Sequence, residues 1–595
     1  MKRTLQRSMD ILSRRMNRGL RHYRERLATG EAPFEYALLG LAAGLAAGTT
    51  VIAFRKCFEY GLAALYPVSE KNRLGPEQID SLPTLVLFLA PAAGGMLIGL
   101  ALQLLQPQYR HTGLPHVVYH AHNHDGKMPW RNGVVQFLGG LACALSAQSV
   151  GREGPAVHIG SATNSFLGQA LRLPHNSLRI LVGSGTAAAI AATFNTPIAG
   201  VIFAMEVVLV EYSITGFMPV ILAAVAGTAL TRLTYGAAPY IQLPDIVETG
   251  LLDLAVAAVL ASLVAIASAS FVRIQRYCLT FSNRPIWLRL TLAGMLTGTL
   301  AMFSPRILGA GYPMLEQMLS SPAPPLILST IIMAKLVTTA ASVGLGMPGG
   351  MISPNLFIGA SIGSLLGQTV HMVAPALGGS TMLYALLGMA AMMGAVLNAP
   401  LAALMTLLEL TYSPGVIFPG LLAITIANIF HREVFHQPSA VTAVLQQQGI
   451  LLEQDPVSQA LKRLGVSSLM NTQVAVGQRH MSRAALLELM APRPEWIVCD
   501  DNDSSHLMLR SAIEEALEAS PHEDTVDLTT IKGARTVAAI DPRSDLNQAW
   551  REMLRSGRDE VLVRSKHAYL LHANIGVITR KDIETFIYHR QGAKT

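Results

Sequence analysis

Arg152 and Glu153 interrupt a stretch that is otherwise uncharged from Val134 to Val150, and Gly151, Gly154 and Pro155 surround them. Two glycines allow close backbone approach, and a proline at an early helical position wastes no amide donor, so residues 151–170 read as a helix with its start at the charges. A carboxylate at the amide-rich start of a helix within an apolar core is expensive, and such residues are functional by default. The competing reading is a local ion pair between Arg152 and Glu153 at a membrane surface.

Other helix starts have the same grammar. His111-Thr-Gly-Leu-Pro, Gly344-Leu-Gly-Met-Pro-Gly-Gly-Met-Ile-Ser-Pro and the turn before Ser439 are each marked by glycine or proline. Each can aim free backbone amides at a common centre. A helix start carries roughly half a positive charge and is a ready-made anion site. Neutral dipoles suit transport, because a full cation would hold the ion too tightly to release it. Thr112 adds a hydroxyl beside the first turn. Any one of these turns is explained as a helix break; four together point to an anion pathway.

The elements that must position these turns are apolar and closely spaced. Runs at about 36–65, 85–105, 134–150, 180–210 and 217–233 are followed by others at 251–271, 288–302, 326–343, 356–373, 384–410 and 416–430. A vertical span needs ~20 apolar residues. Several runs are too short or too broken for that, so tilted, half-length and broken helices around a midplane site are expected. An internal repeat is also present. Gly185, Ala187, Ala188, Ala192, Asn195, Pro197, Ala199 and Glu206 align without gaps on Gly388, Ala390, Ala391, Ala395, Asn398, Pro400, Ala402 and Glu409. At a nearly equal offset Gly151, Pro155, Ile159, Gly160, Leu167, Gly168 and Gln169 meet identical residues from Gly350 onward, with Ile352 opposite Glu153. The membrane part is therefore two related halves, about 33–240 and 245–435, parallel or inverted.

The chain of 595 residues is 51% hydrophobic and 14% charged, which excludes a single soluble domain of this length. Its net charge of +7 is concentrated at the start, where Lys2, Arg3, Arg7, Arg14, Arg15, Arg18, Arg21, Arg24 and Arg26 face Asp10 and Glu25. A basic flank before the first apolar run places that end in the cytosol and needs no nucleic acid to explain it. No removable signal peptide is read. Cys57, Cys143, Cys278 and Cys499 show neither metal nor disulfide spacing. His111, His116, His120, His122, His124 and His158 invite a metal reading, but most fall within residues 111–124, and surface or interfacial roles are expected of them. Residues 450–595 are mixed and charged, with strand–helix alternation at 466–517 and again at 527–587.

GREGP before an Ala/Gly-rich helix, GMPGGMISP, and the Asn195/Pro197 segment ending in Glu206 together resemble the CLC family of chloride channels and chloride/proton exchangers, over roughly residues 35–450. The tail resembles a pair of CBS domains. The resemblance implies that Glu153 is a gating carboxylate that mimics the permeant anion and leaves when protonated or displaced. It implies that Thr112, with Gly113, faces the anion, that Arg152 and Gly154 flank it with Glu153, and that Met351 and Ile352 supply backbone amides. Pro155 and Thr112 keep chloride as the expected ion, with other halides and nitrate beside it.

Two departures bear on proton coupling. Exchangers of the family commonly carry a carboxylate directly after the position of Glu206; here it is Val207. Glu206 then reads as a structural helix-end carboxylate, as does its repeat twin Glu409, and Glu211, about one turn on, is the substitute proton acceptor. The family's central tyrosine falls at Val441, so an anion-coordinating phenol is missing. In the tail, Gly576-Val-Ile-Thr-Arg-Lys-Asp582 resembles a nucleotide-binding strand–turn–helix in which Thr579 would cap a phosphate and Asp582 would accept ribose hydroxyls; the plainer reading is a helix cap.

The expected architecture is an all-α polytopic membrane domain of two CLC-like halves over 33–449, preceded by a basic cytosolic segment 1–32 and followed by a cytosolic α/β CBS-like tail, 450–595. The expected function is chloride passage gated by Glu153, with Val207 and Val441 tilting it toward weakly coupled or uncoupled conduction. The alternatives are a chloride/proton antiporter using Glu211, and a nucleotide-sensing regulatory membrane protein. No enzymatic machinery and no required cofactor are expected, and adenine nucleotide is the ligand such a tail would take. A homodimer in the inner (plasma) membrane, with both termini cytosolic, completes the reading.

Overall fold

Long runs of Leu, Ala, Val and Ile in an apolar medium satisfy their own amides within one segment by forming helices. The computed structural model describes residues 23–29, 32–65, 82–211, 214–236, 250–320, 323–373, 380–450, 456–501, 504–520, 524–564 and 576–592. The basic residues from Lys2 to Arg21 lie outside the described residues. The first half comprises α1 (Pro33–Leu65), α2 (Thr84–Leu104), α3 (Gly113–Asn123), α4 (Trp130–Leu145), α5 (Glu153–Ala170), α6 (His175–Phe194), α7 (Pro197–Phe203) with a π-helical turn (Ala204–Leu209), and α8 (Ile214–Tyr235). The second comprises α9 (Leu251–Leu279), α10 (Ile286–Phe303), α11 (Tyr312–Ser320), α12 (Pro325–Leu345), α13 (Ile352–Val373), α14 (Thr381–Leu397), α15 (Pro400–Thr411), α16 (Ile417–Ile429) and α17 (Ala440–Gln447). Among the described residues nine helices are long and apolar enough to cross a membrane.

The repeat is visible as a repeated break. Asn195 and Asn398 end α6 and α14 in the left-handed conformation, at φ 60° and 54°, and Pro197 and Pro400 begin the next helices. Asn tolerates that conformation, and proline at the first helical position loses no bond, so each long apolar run divides there. Close helix crossings repeat as well: a Cβ on Gly160 would lie 2.7 Å from the carbonyl of Gly185, and their repeat counterparts Gly359 and Gly388 meet in the same way. Without water to drive apolar association, small residues that let backbones touch supply the packing.

The halves are inverted. Glu206, beyond the C-terminal end of α7, accepts from the amides of Leu401 at 3.2 Å and Ala402 at 2.8 Å, at the start of α15. Glu409, near the C-terminal end of α15, accepts from Ile198 at 3.0 Å and Ala199 at 2.7 Å, at the start of α7. Reciprocal capping of this kind requires the two helices to run antiparallel. Each carboxylate satisfies two amides that have no partner inside their own helix and sits on the positive end of its dipole. Glu206→Ala and Glu409→Ala are each expected to lower unfolding stability by about 1–2 kcal/mol, readable as a lowered thermal midpoint in detergent; Val207→Ala, next in sequence to Glu206, leaves both caps in place.

The chain divides into two compact units, and the division is not linear. The larger comprises residues 36–170 and 179–452; the smaller gathers residues 1–35, 171–178 and 453–595. Within the smaller unit the Arg24 guanidinium donates to Leu171 O at 2.9 Å, Asn176 donates to Leu27 O and Arg463 O at 3.1 Å each, and the His175 amide donates to Arg543 O at 2.9 Å. Its sheet has six strands: β1 (Val474–Gln478), β3 (Trp496–Asp501), β4 (Ser504–Leu509), β6 (Arg535–Ile540), β7 (Glu560–Val563) and β8 (Gly576–Thr579), in that order, with β2 (His480–Ser482) and β5 (Thr525–Asp527) paired separately. In β1–β3–β4 a parallel pair is followed by an antiparallel one, and β6–β7–β8 has the same pattern, joined to it through antiparallel β4 and β6. Each set carries one helix between its parallel strands and one after its last, so the tail is two βαββα modules with a shared sheet.

Candidate functional site

The start of α5 is fixed by backbone. Gly151 donates to Gly350 O at 2.7 Å and Gly350 donates to Gly151 O at 2.6 Å, an antiparallel bridge between repeat-related glycines. This bridge sets the starts of α5 and α13 against each other. Glu153, the first residue of α5, is fully buried there. Its Oε2 accepts from the Ser353 hydroxyl at 2.6 Å and from the Ser353 amide at 3.4 Å, and its Oε1 accepts from the Tyr312 hydroxyl. Tyr312 is the first residue of α11 and Ser353 the second of α13, so three helix starts converge on one carboxylate. The first half supplies the charge and the second the donors. Arg152 packs its guanidinium 5.2 Å from the Tyr312 ring centre and 5.6 Å from that of Phe58.

Next to this carboxylate lies a cavity of about 670 Å³. Thr112, Gly113, Gly154, Met351 and Ile352 line it, as do Arg110, His111, Arg284 and Arg289, with no acidic side chain among its lining residues. Such a cleft concentrates anions. Thr112 holds the position before α3 in extended backbone, and its side chain makes no capping bond. Met351 and Ile352 are buried, and their amides, at the start of α13, have no carbonyl to meet within the helix.

Other expected residues are placed differently. Gly113, at φ +79°, has given its amide to Gln136 Oε1 at 2.5 Å, and Gln136 in turn donates to Pro348 O at 2.9 Å, so Gly113 shapes the wall with its amide already bonded. Val441 is buried in the apolar core and does not line the cavity. The fourth helix start is closed locally, because Ser439 Oγ accepts from the Thr442 amide at 3.1 Å; later residues, Val444, Gln447 and Gln448, face the cavity instead. Glu211 stands 3.4 Å from Arg179 in a buried ion pair. Thr579 and Asp582 do meet, but each other: Asp582 Oδ2 accepts from the Thr579 amide at 2.9 Å and hydroxyl at 2.7 Å, as in a capping box. The histidines depart from the surface roles expected of them, since His116, His120 and His158 are buried. Among the described residues no group of three or more His, Cys, Asp or Glu is arranged to hold a metal ion.

Tyr312 and Ser353 are site residues that the sequence does not single out. Ser353 is the repeat counterpart of Gly154 and lies inside GMISP, next to the two residues singled out. Tyr312 lies in Gly309-Ala-Gly-Tyr-Pro313, another glycine- and proline-marked helix start of the kind already described. Tyr312→Phe removes one hydrogen bond to a charged group, worth about 1.5–3 kcal/mol. The buried position of the Glu153 carboxylate is expected to weaken accordingly, by about ten- to a hundredfold in its equilibrium; a lowered thermal midpoint in detergent, with protein yield maintained, is the readout.

The sequence profile of the family described as voltage gated chloride channel matches residues 94–432. A putative chloride channel protein, ClcB-like, of Ralstonia nicotianae is 31% identical over 405 residues, covering 65% of this chain and 91% of the relative. The voltage-gated ClC-type chloride channel ClcB of Escherichia coli is 29% identical over 372 residues, 59% of this chain and 86% of the relative. Among solved structures, a slow cyanobacterial Cl−/H+ antiporter superposes with TM-score 0.61 at 21% identity, covering 69% of this chain and 97% of the other. A eukaryotic CLC transporter superposes with TM-score 0.58 at 17% identity and covers 92% of this chain and 97% of the other, a share that reaches into the C-terminal tail. At these identities the structures establish likeness of fold.

Proposed function

The chain belongs to the voltage-gated chloride channel family as an integral, multi-pass membrane protein, and from that premise we propose that it carries chloride past a gate formed by Glu153. The observation that carries this reading is the buried carboxylate itself, held by two hydroxyls and an amide where helix starts from both halves meet. Those are the donors that would hold a dehydrated anion, so the carboxylate and the ion compete for them. A proton on Glu153, or an arriving anion, lets the side chain leave; Thr112 and the amides of Met351 and Ile352 then receive the ion from the cavity. The dipoles are fixed before the ion arrives, and none is a full charge, so binding stays reversible. Bromide and nitrate fit the same donors.

For coupling, chloride/proton exchange is the reading we favour over the uncoupled conduction to which Val207 and Val441 pointed. Its support is the fold shared with a Cl−/H+ antiporter and with a CLC-type fluoride/proton antiporter, together with the buried imidazoles around the gate helix. Glu211 is a poor acceptor in this scheme, because a proton there would break its buried pair with Arg179. A homodimer in the plasma (inner) membrane, with both termini in the cytosol and a CBS-type regulatory tail, belongs to the same proposal. Nucleotide sensing is the reading of another class; ATP or AMP binding to the full chain with no effect on anion flux would favour it. The deciding experiment is chloride efflux from vesicles containing the purified protein. Efflux above protein-free vesicles is expected; none, in vesicles shown to contain folded protein, overturns the reading.

A further inference from the structure

Four imidazoles form a row from an exposed position to the inside of the gate helix. His116, His120 and His124 follow one another at successive turns of α3 and just past its end, with ring centres 4.4 Å apart for the first pair and 4.8 Å for the second. His158 of α5 continues the row, its ring 5.0 Å from that of His116 and its Nε2 2.8 Å from His116 Nδ1. Exposure falls along it: His124 is exposed, His120 and His116 are 9% and 7% exposed, and His158 is fully buried. An imidazole row in an apolar core is expensive to bury.

We propose that His124, His120, His116 and His158 are a proton relay serving Glu153, in place of the carboxylate missing at Val207. This rests on the reading of the protein as a chloride/proton exchanger gated by Glu153. His120 Nδ1 lies 2.5 Å from Lys127 O, so that nitrogen carries the hydrogen and Nε2 is left as the base. The 2.8 Å bond between His116 and His158 has one hydrogen between two nitrogens, so the pair passes a proton by exchanging donor and acceptor. His158 Nδ1 is buried with no hydrogen-bond partner among the described residues. From there the proton leaves toward Glu153, five residues earlier on the same helix, about 7.5 Å back along its axis and about 140° around it, so a file of several waters has to join the two. A proton taken up at His124 thus leaves at Glu153 and each ring returns to neutral, with donor and acceptor reversed in the His116–His158 bond until the two rings turn back. In the reverse direction the same rings carry it out.

The row also lies beside the position it would replace. The π-helical turn that contains Val207 packs on α3, with His122 Nε2 2.9 Å from Val208 O. His124 lies toward the far end of α5, where Ser165 Oγ accepts from the Met128 amide at 2.8 Å and donates to Gly126 O at 2.6 Å. Other titratable or charged groups around the row are Arg110 and His111 before α3, Tyr119 and His122 on it, and Asp125 and Lys127 after it. Arg152 and Glu153 stand at the start of α5, and Glu206 in the π turn is engaged by the amides of α15. The Tyr119 hydroxyl is 2.8 Å from His124 Nε2 and belongs to the entrance. α17 adds no titratable side chain to its contact with α3.

The test uses the full chain in vesicles under an outward chloride gradient, with chloride and pH recorded together. In the unaltered protein chloride movement should drive protons the opposite way. In His116→Gln and in His120→Gln the proton-to-chloride ratio should fall by about a hundredfold, the scale of losing a positioned proton donor. Chloride efflux unaccompanied by protons in the unaltered protein overturns the relay and leaves the chloride reading standing; no efflux at all overturns the chloride reading. A ratio in His116→Gln and His120→Gln equal to that of the unaltered protein also overturns the relay. Should those two fail to fold, His124→Gln at the exposed end decides, since a relay that starts there loses its proton flux and a merely structural histidine does not.

Discussion

Glu153→Ala should give anion flux that no longer responds to pH and no longer moves protons. The buried position of this carboxylate is held by three donors, and hydrogen bonds to a charged group contribute about 1.5–3 kcal/mol each. Removing the side chain releases Tyr312 and Ser353 together and leaves the helix starts open to a permanent anion. Flux at neutral pH is therefore expected to rise by about tenfold or more, and the increase of flux with acid expected of the unaltered protein should be absent. Glu153→Gln, which imitates the protonated side chain, should stand between the two. Proton-tracked chloride efflux from vesicles measures all three proteins, and pH dependence surviving in Glu153→Ala would remove the gate assignment.

Gly350→Val should abolish transport by a different route. A Cβ at Gly350 would lie 2.5 Å from the Gly154 nitrogen and 3.1 Å from the Gly151 oxygen, both backbone atoms that cannot swing aside. The two-way bridge between Gly151 and Gly350 must open, and with it the alignment of α5 on α13. Overpacking of this kind costs about 1–3 kcal/mol, and the displacement falls on the donors to Glu153. The expected result is anion flux at the level of protein-free vesicles, with a lowered thermal midpoint. Gly250→Ala is the control, because the nearest atom to its new Cβ is Asp253 Oδ2 at 3.7 Å; retained flux there and lost flux at Gly350 locate the effect at the bridge.

Much of the membrane part can be read in the sequence because its rules are local. Gly and Pro mark helix starts, Asn followed two residues later by Pro marks a break, and the repeat gives two copies of each signal. Membership of the family follows from the order of those motifs. The inversion of the halves is not readable in this way. It follows from Glu206 and Glu409 capping each other's partner helices, a contact between residues far apart in the chain. Glu153 stood out because charge is rare in its surroundings, whereas Tyr312 and Ser353 are polar residues of ordinary type whose role depends on where the second half places them. Gly113 shows the opposite case: its motif was legible, but Gln136, from the next helix, takes its amide. Five of the six histidines fall within residues 111–124, a stretch that reads as a loop and so implies surface or interfacial roles; the row becomes visible only when α3 and α5 lie side by side and bring His158 to His116.

The exchange of hydrogen-bond partners between halves, at the caps and at Glu153, has a consequence for how the chain is made. Glu409 reaches the start of α7 across 211 residues, and Ser353 reaches Glu153 across 200. At about 5–20 residues per second, the first half waits roughly 10–40 s for the groups that complete it. During that interval α7 has bare amides and the Glu153 carboxylate lacks its hydroxyl donors, both inside or beside lipid. A ribosome that stalls after α8 leaves a membrane-inserted fragment with exposed polar groups, the kind of product that quality-control proteases remove. Because neither half can complete its own polar groups, the protein is committed to being made whole.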